Sequence, residues 1–312
     1  MTTPIKRALL FSGQGAQKVG MGADLWDKSP SAHALYEQAD SRLGWPLSGY
    51  SFNGPVEVLT ETRICQPALY VHGLALLAAY EDLTGRPLRF EAAAGLSLGE
   101  YTAHAAAGSF TFQTGLDLVA ERGRLMQESC NATVGTMATL LGASAEQARE
   151  IAAACDVDVA NLNCPGQIVL SGGQKEMDCV AEVAKEKGVR RVLPLNVAGA
   201  YHSRLMASAA TGLAHVLITA DLQASHVPVV SNVTARVADG ADEILRALEE
   251  QVCGSVRWEE SVRHLIEMGF TDFVECGPGG VLAGLVRRIE PTATCLSLET
   301  HADIVKHADA LL

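Results

Sequence analysis

The chain has 312 residues, 48% hydrophobic and 19% charged, the composition of an ordinary globular protein and not of a disordered one. A net charge of −12 argues against nucleic acid as a partner, because phosphate binding needs a basic surface, and any acidic partner would have to meet a local basic patch. Apolar stretches such as Leu74–Tyr80 are too short to span a membrane, and the run Ala8–Phe11 is too short for a signal-peptide core, so a cytoplasmic location is expected.

In chain order, Ala8–Phe11 reads as a short apolar strand that runs into a Gly-rich loop, Ser12-Gly13-Gln14-Gly15-Ala16-Gln17. Apolar strands alternating with amphipathic helices to about residue 130 predict a parallel sheet covered by helices. Leu88–Ala94 can form a strand and Glu100–Ala107 can open a helix. Between them stands Gly95-Leu96-Ser97-Leu98-Gly99, a Gly-x-Ser-x-Gly pattern at a strand-to-helix junction. Such an elbow holds a serine hydroxyl clear of its own backbone, and the glycines allow neighbouring elements to pass close. A plain tight turn without chemistry has the same five letters, and the letters alone do not separate the two.

The pattern changes after residue 130. Thr136–Gly142 reads as a strand, and Ser144–Cys155 as a helix opened by a serine cap. Asp156–Asn163 and Gln167–Ser171 read as two strands joined across Pro165-Gly166. Gln174–Lys187 reads as a helix stopped by Gly188, and Val189–Val197 as a further strand. The order β-α-β-β-α-β is that of a ferredoxin-like unit. The expected division is a large subdomain over 1–130 and 198–312 with a small one inserted over 131–197, and a substrate cleft between them. The eight cysteines are scattered, without a C-x-x-C pair or zinc spacing, so reduced thiols and no metal are expected.

A serine nucleophile needs a base, and histidine is best matched near neutral pH. Of nine histidines, His202 lies in Asn196-Val197-Ala198-Gly199-Ala200-Tyr201-His202-Ser203, where the small unit returns to the large one. A histidine there also suits a capping or packing role. The serine-hydrolase order would instead call on His301 or His307, on a polar terminal segment with Asp303 and Asp309, and nothing in the sequence favours either.

Six motifs in order extend the pattern. They are Gly13-Gln14-Gly15-Ala16-Gln17, Gly95-Leu96-Ser97-Leu98-Gly99-Glu100-Tyr101, Glu121-Arg122-Gly123-Arg124-Leu125-Met126-Gln127, Asn161-Leu162-Asn163-Cys164-Pro165-Gly166-Gln167, Ala200-Tyr201-His202-Ser203-Arg204-Leu205-Met206 and Glu275-Cys276-Gly277-Pro278-Gly279. From Ala8 to Ile289 the chain resembles the malonyl-CoA:acyl carrier protein transacylases, relatives of polyketide synthase acyltransferase domains. The resemblance implies an α/β fold, an α/β-hydrolase-like parallel-sheet body with an inserted ferredoxin-like subdomain.

It also implies roles. Ser97 would be the nucleophile and His202 its base, in a ping-pong transfer of malonyl from malonyl-CoA to the phosphopantetheine thiol of acyl carrier protein. The backbone N–H groups of Gln14 and Leu98 would form the oxyanion hole. Arg122, directly before the motif glycine, would hold the malonyl carboxylate as a bidentate fork, while Arg124 points to another face. The main-chain carbonyl of Gln251 would orient the histidine. Tyr201 would crowd the malonyl C2 carbon and disfavour a methyl branch.

Two positions depart from the family pattern: Leu96 where histidine is frequent, and Ser255 where proline is common. The resemblance implies no cofactor, no nucleic acid and no membrane, a monomer, and a role in fatty acid biosynthesis. A polyketide carrier, or an acyl-thioester hydrolase, stays open as an alternative. Two basic groups, Lys185, Lys187, Arg190 and Arg191 on the small unit and Arg287 with Arg288, are candidates for meeting an acidic carrier protein.

Overall fold

The computed structural model describes residues 6–312, and within them the chain forms two sheets. Five parallel strands make the larger: β1 (Arg7–Phe11), β2 (Ala92–Gly95), β7 (Val229–Val230), β8 (Asp272–Cys276) and β9 (Thr294–Leu298), in the order β7-β2-β1-β8-β9. Strand β1 is central and carries no polar face. Ala8 and Leu10 enter one core with Ala92, Ala94, Trp258 and Phe273, while Leu9 and Phe11 enter the opposite one with Ala93, Tyr70 and Val274. This two-residue alternation between two apolar faces is what a parallel sheet covered on both sides requires.

The smaller sheet is antiparallel. It contains β3 (Gly135–Leu141), β4 (Asp158–Cys164), β5 (Gln167–Gly173) and β6 (Arg191–Pro194) in the order β4-β5-β3-β6. With helix Ala145–Cys155 after β3 and two helical turns between β5 and β6, this is the expected β-α-β-β-α-β arrangement. Ser144 opens its helix through a capping box with Gln147, which satisfies two otherwise orphaned backbone donors.

Several expectations need correction. Residues 12–91 contain no strand; five helices fill that interval, ending with Thr62–Thr84, whose residues are buried nearly all round. The strand expected at Leu88–Ala94 is Ala92–Gly95, because Leu88–Glu91 makes no ladder. The helix expected over Gln174–Lys187 is split into Gln174–Met177 and Val180–Glu186, and the strand expected over Val189–Val197 is Arg191–Pro194. The cysteines are not all free thiols. Cys155 ends helix Ala145–Cys155 and Cys179 directly precedes helix Val180–Glu186, in one apolar cluster against the small sheet; their Cα atoms are 6.1 Å apart and they form a disulfide. Their separation of 24 residues carries no pairing signal in sequence; helix packing brings them together.

Beside the site, the small sheet is sewn to the loop segment at Ser255 and Val256. Leu162 N–H donates to the Val256 carbonyl at 2.9 Å, Val256 N–H donates to Ala160 at 2.8 Å, and the Ser255 hydroxyl donates to Val159. Across the cleft, the Arg288 guanidinium donates to Gln167 and to the Pro165 carbonyl. Among the described residues no helix is long and apolar enough to cross a membrane.

Candidate active site

The site lies at the carboxyl ends of β1 and β2, where ligands of open α/β sheets bind. Strand β2 ends at Gly95, and helix Leu98–Ala106 begins after two intervening residues, Leu96 and Ser97. Ser97 has φ 55 and ψ −110, a strained conformation for a residue with a side chain. Gly95 and Gly99 make the turn possible: a Cβ on Gly95 would strike the Gly99 backbone, and one on Gly99 would strike the Phe11 carbonyl. The serine is thereby lifted off the end of the sheet.

His202 reaches it from the far segment. Its Nε2 is 2.7 Å from Ser97 Oγ, and its Nδ1 is 2.9 Å from the Gln251 carbonyl and 3.2 Å from that of Gly254. Two carbonyl acceptors at Nδ1 place the proton there and leave Nε2 free to accept from the serine. His202, too, has a positive φ, 54°. Burial, followed by the nearby Arg122 charge, pushes its pKa down to about 4, against the raising effect of the two carbonyls. The imidazole is therefore neutral and ready as a base at physiological pH.

Arg122 lies on the buried face of helix Phe112–Ala132 and is 1% exposed. Its guanidinium donates to Gln66 Oε1 at 2.6 Å, to Gln251 Oε1 at 2.8 Å and to Ser97 Oγ at 3.1 Å. Arg124, two residues on, is exposed and pairs with Glu121 and Glu128. The guanidinium therefore stands within one acyl length of the Ser97 hydroxyl.

The loop after β1 closes the other side. The Gln14 side chain accepts from Thr62 Oγ1 at 2.7 Å, and Thr62 accepts from Gln66, so the loop is chained to Arg122 through two neutral side chains. The backbone N–H groups of Gln14 and Leu98 donate to no other group among the described residues. Tyr201 is 6% exposed and lines the cleft, its ring beside Cys130, Gln14 and Thr62. The cleft, ≈ 490 Å³, runs from Ser97 past Leu96, Asn161 and Asn163 to Val281 and Leu285. Leu96, where a polar neighbour was conceivable, gives it an apolar wall. His301 and His307 lie on helix His301–Leu311 and do not line it.

Three residues escaped the sequence reading. Gln66 has no motif around it. Asn232, fully buried after β7, accepts from Ser97 N–H at 2.6 Å and donates to the Gly95 carbonyl at 2.7 Å, so one carboxamide spans the elbow. Glu100, also fully buried, accepts from Asn232 N–H at 3.0 Å and from the Gln251 side chain at 2.6 Å. It stands in the quoted elbow motif, and that was its only signal. Among the described residues no group of three His, Cys, Asp or Glu is placed to hold a metal ion.

A family model described as the acyl transferase domain matches residues 8–295. The malonyl CoA-acyl carrier protein transacylase of Bacillus subtilis is 43% identical over 289 residues, 91% of this chain and 90% of that protein. An acyl-carrier-protein S-malonyltransferase structure from Bartonella henselae aligns with a TM-score of 0.94 at 35% identity, over 98% of this chain and 99% of that one. A malonyl-transacylase solved in complex with a type II polyketide synthase acyl-carrier protein aligns with a TM-score of 0.92 at 34% identity, over 98% of this chain and 99% of that one.

Proposed function

This chain belongs to the acyl transferase family, and from that premise we propose that it moves malonyl from malonyl-CoA to the thiol of an acyl carrier protein through an ester on Ser97. The observation that carries the reading is the triangle of Ser97 Oγ, His202 Nε2 at 2.7 Å and the Arg122 guanidinium at 3.1 Å. Nucleophile, base and carboxylate fork meet at one point.

In the first half-reaction Ser97 Oγ attacks the thioester carbonyl while its proton passes to His202 Nε2. The Gln14 and Leu98 N–H groups face the developing oxyanion, and such donors typically contribute about 3 kcal/mol each. Collapse breaks the C–S bond, and the proton on His202 goes to the departing CoA sulfur. The carrier thiol then repeats the steps in reverse, giving its proton to His202 and taking the acyl group. Gln251 orients His202 through its carbonyl. Arg122 holds the malonyl carboxylate, so a neutral acyl group leaves the guanidinium without a charged partner in direct contact. Tyr201 fills the space beside the malonyl C2 carbon.

We assign the enzyme to fatty acid biosynthesis, acting in the cytoplasm as a monomer, with 131–197 as a small subdomain forming one wall of the cleft. Arg190, Arg191 and Arg287 are exposed and form no ion pair among the described residues, which suits them to an acidic carrier, whereas Lys187 is held by Glu150. Intact-mass spectrometry after exposure to malonyl-CoA tests the core of the reading. One malonyl adduct is expected on the native chain and none on Ser97→Ala; an adduct that persists in the variant defeats the assignment.

A further inference from the structure

Arg122 is a buried cation whose neighbours are all neutral. Its three hydrogen-bonded partners are two carboxamides and a hydroxyl, Nε has no partner, and the Tyr101 ring lies 5.4 Å away. A lone charge in such a place is costly unless something answers it. Glu100 is a buried carboxyl with the opposite problem. The two do not touch; the Gln251 carboxamide stands between them, Nε2 donating to Glu100 Oε2 at 2.6 Å and Oε1 accepting from Arg122 at 2.8 Å. The sense of that amide is fixed from both ends: its NH₂ also donates to the Ser97 carbonyl at 3.0 Å, and a flip would set NH₂ against guanidinium and oxygen against carboxylate.

We propose that Glu100 is the resident counter-charge of Arg122, relayed through Gln251, and so a positioning residue that sets how strongly the site prefers an acyl group with its own carboxylate. A direct ion pair would occupy the guanidinium fork, and the substrate carboxylate would have to break it. One amide of separation compensates the charge while the groups in direct contact with the guanidinium stay neutral, so a substrate carboxylate has no ion pair to break. Burial raises the Glu100 carboxyl to about 7, against the lowering effect of Gln251, Asn232 and the Arg122 charge, so the pairing is tested above that value, where the carboxyl is ionised. The same carboxylate oxygen accepts from Asn232, whose side chain spans the serine turn, so Glu100 anchors both halves of the site. The specificity consequence rests on the reading of Arg122 as the malonyl ligand; the pairing itself does not.

The test is a double-substitution cycle at pH 8 on the full chain, without substrate. Glu100→Gln keeps an acceptor oxygen for both donors and removes the charge. It should lower Tm by roughly 2–4 °C in the native background, and by nothing, or with the opposite sign, in Arg122→Met, where the lone carboxylate is the burden. Equal losses in both backgrounds overturn the pairing. Should Glu100→Gln alone fail to fold, folding of the double variant supports it and failure of both overturns it. With acyl-CoA substrates, the malonyl-to-acetyl ratio of Ser97 acylation should rise roughly tenfold in Glu100→Gln, because the substrate becomes the cation's sole counter-charge. Passage of malonyl from serine to carrier should slow with it. Coupled Tm values with an unchanged ratio overturn the specificity role. Malonyl preference surviving in Arg122→Met would sink the Arg122 assignment instead, and leave the cycle to stand.

Discussion

Replacing Arg122 by alanine separates recognition of the acyl group from chemistry on the serine. In the bound state a malonyl carboxylate would take two charge-assisted bonds from the fork, each typically about 1.5–3 kcal/mol. Water entering the space left by the guanidinium recovers part of that, so a net loss of about 3 kcal/mol, or roughly a hundredfold to a thousandfold in rate, is expected for malonyl. Acetyl makes neither bond. It loses only the contact from Arg122 to Ser97 Oγ at 3.1 Å, and its rate should fall by no more than about tenfold. Single-turnover acylation of Ser97, followed by intact mass with each acyl-CoA, gives both numbers from one preparation. Circular dichroism must show a folded variant, because Gln66 and Gln251 each lose a donor. Equal losses of a hundredfold for malonyl and acetyl would make Arg122 a scaffold for the serine, and the account of selectivity would be wrong.

Other outcomes follow from the same geometry. With His202 neutral down to about 4, Ser97 acylation should persist to about pH 5; an acid limb at the ordinary histidine value of 6.5 would show that burial does not control the base. Stability should move as well. His202 and His72, lowered to about 4, and His104, lowered to about 3, are neutral in the folded chain and take up protons near 6.5 when unfolded, so stability is lost as pH falls from 6.5 towards 4. Glu100 has the opposite sign, its folded value near 7 favouring the acid side between 4.5 and 7, but one carboxyl does not outweigh three imidazoles. A denaturant midpoint unchanged between pH 7 and pH 5 would contradict this balance. Tyr201→Ser should admit methylmalonyl-CoA to the first half-reaction without changing the KM for carrier protein; no gain would remove the ring as the steric gate. Charge reversal at Arg190, Arg191 and Arg287 together should raise carrier KM and flatten its salt dependence while self-acylation stays intact, and an unchanged KM would dismiss these residues as a docking patch.

The parts of the site legible in the sequence are those with a local cause. The elbow needs two glycines within five residues, the capping box at Ser144 needs a glutamine three residues on, and the small sheet repeats strand and helix periods at short range. What was not legible depends on distant pairing. Asn232 acts on the backbone of a residue 135 positions earlier, and no local pattern marks a carboxamide chosen for that. Strand β7 is two residues long and exists because β2 lies beside it. The five helices between β1 and β2 were misread because short apolar runs inside buried helices resemble strands.

The stitching of the small sheet to Ser255 and Val256 bears on how the enzyme can move. Gly254, whose carbonyl holds the His202 ring, is the residue next to that seam. Swinging the small sheet outward would pull on the same strip of backbone and turn the imidazole away from the serine. Opening of this wall and alignment of the imidazole are thus coupled through one strip of backbone. With the wall held in place, donor and acceptor enter as slender arms threaded into the cleft beside Ser97. The lifetime of the acyl ester against water then depends on how well each arm plugs the entrance, and not on the timing of a gate.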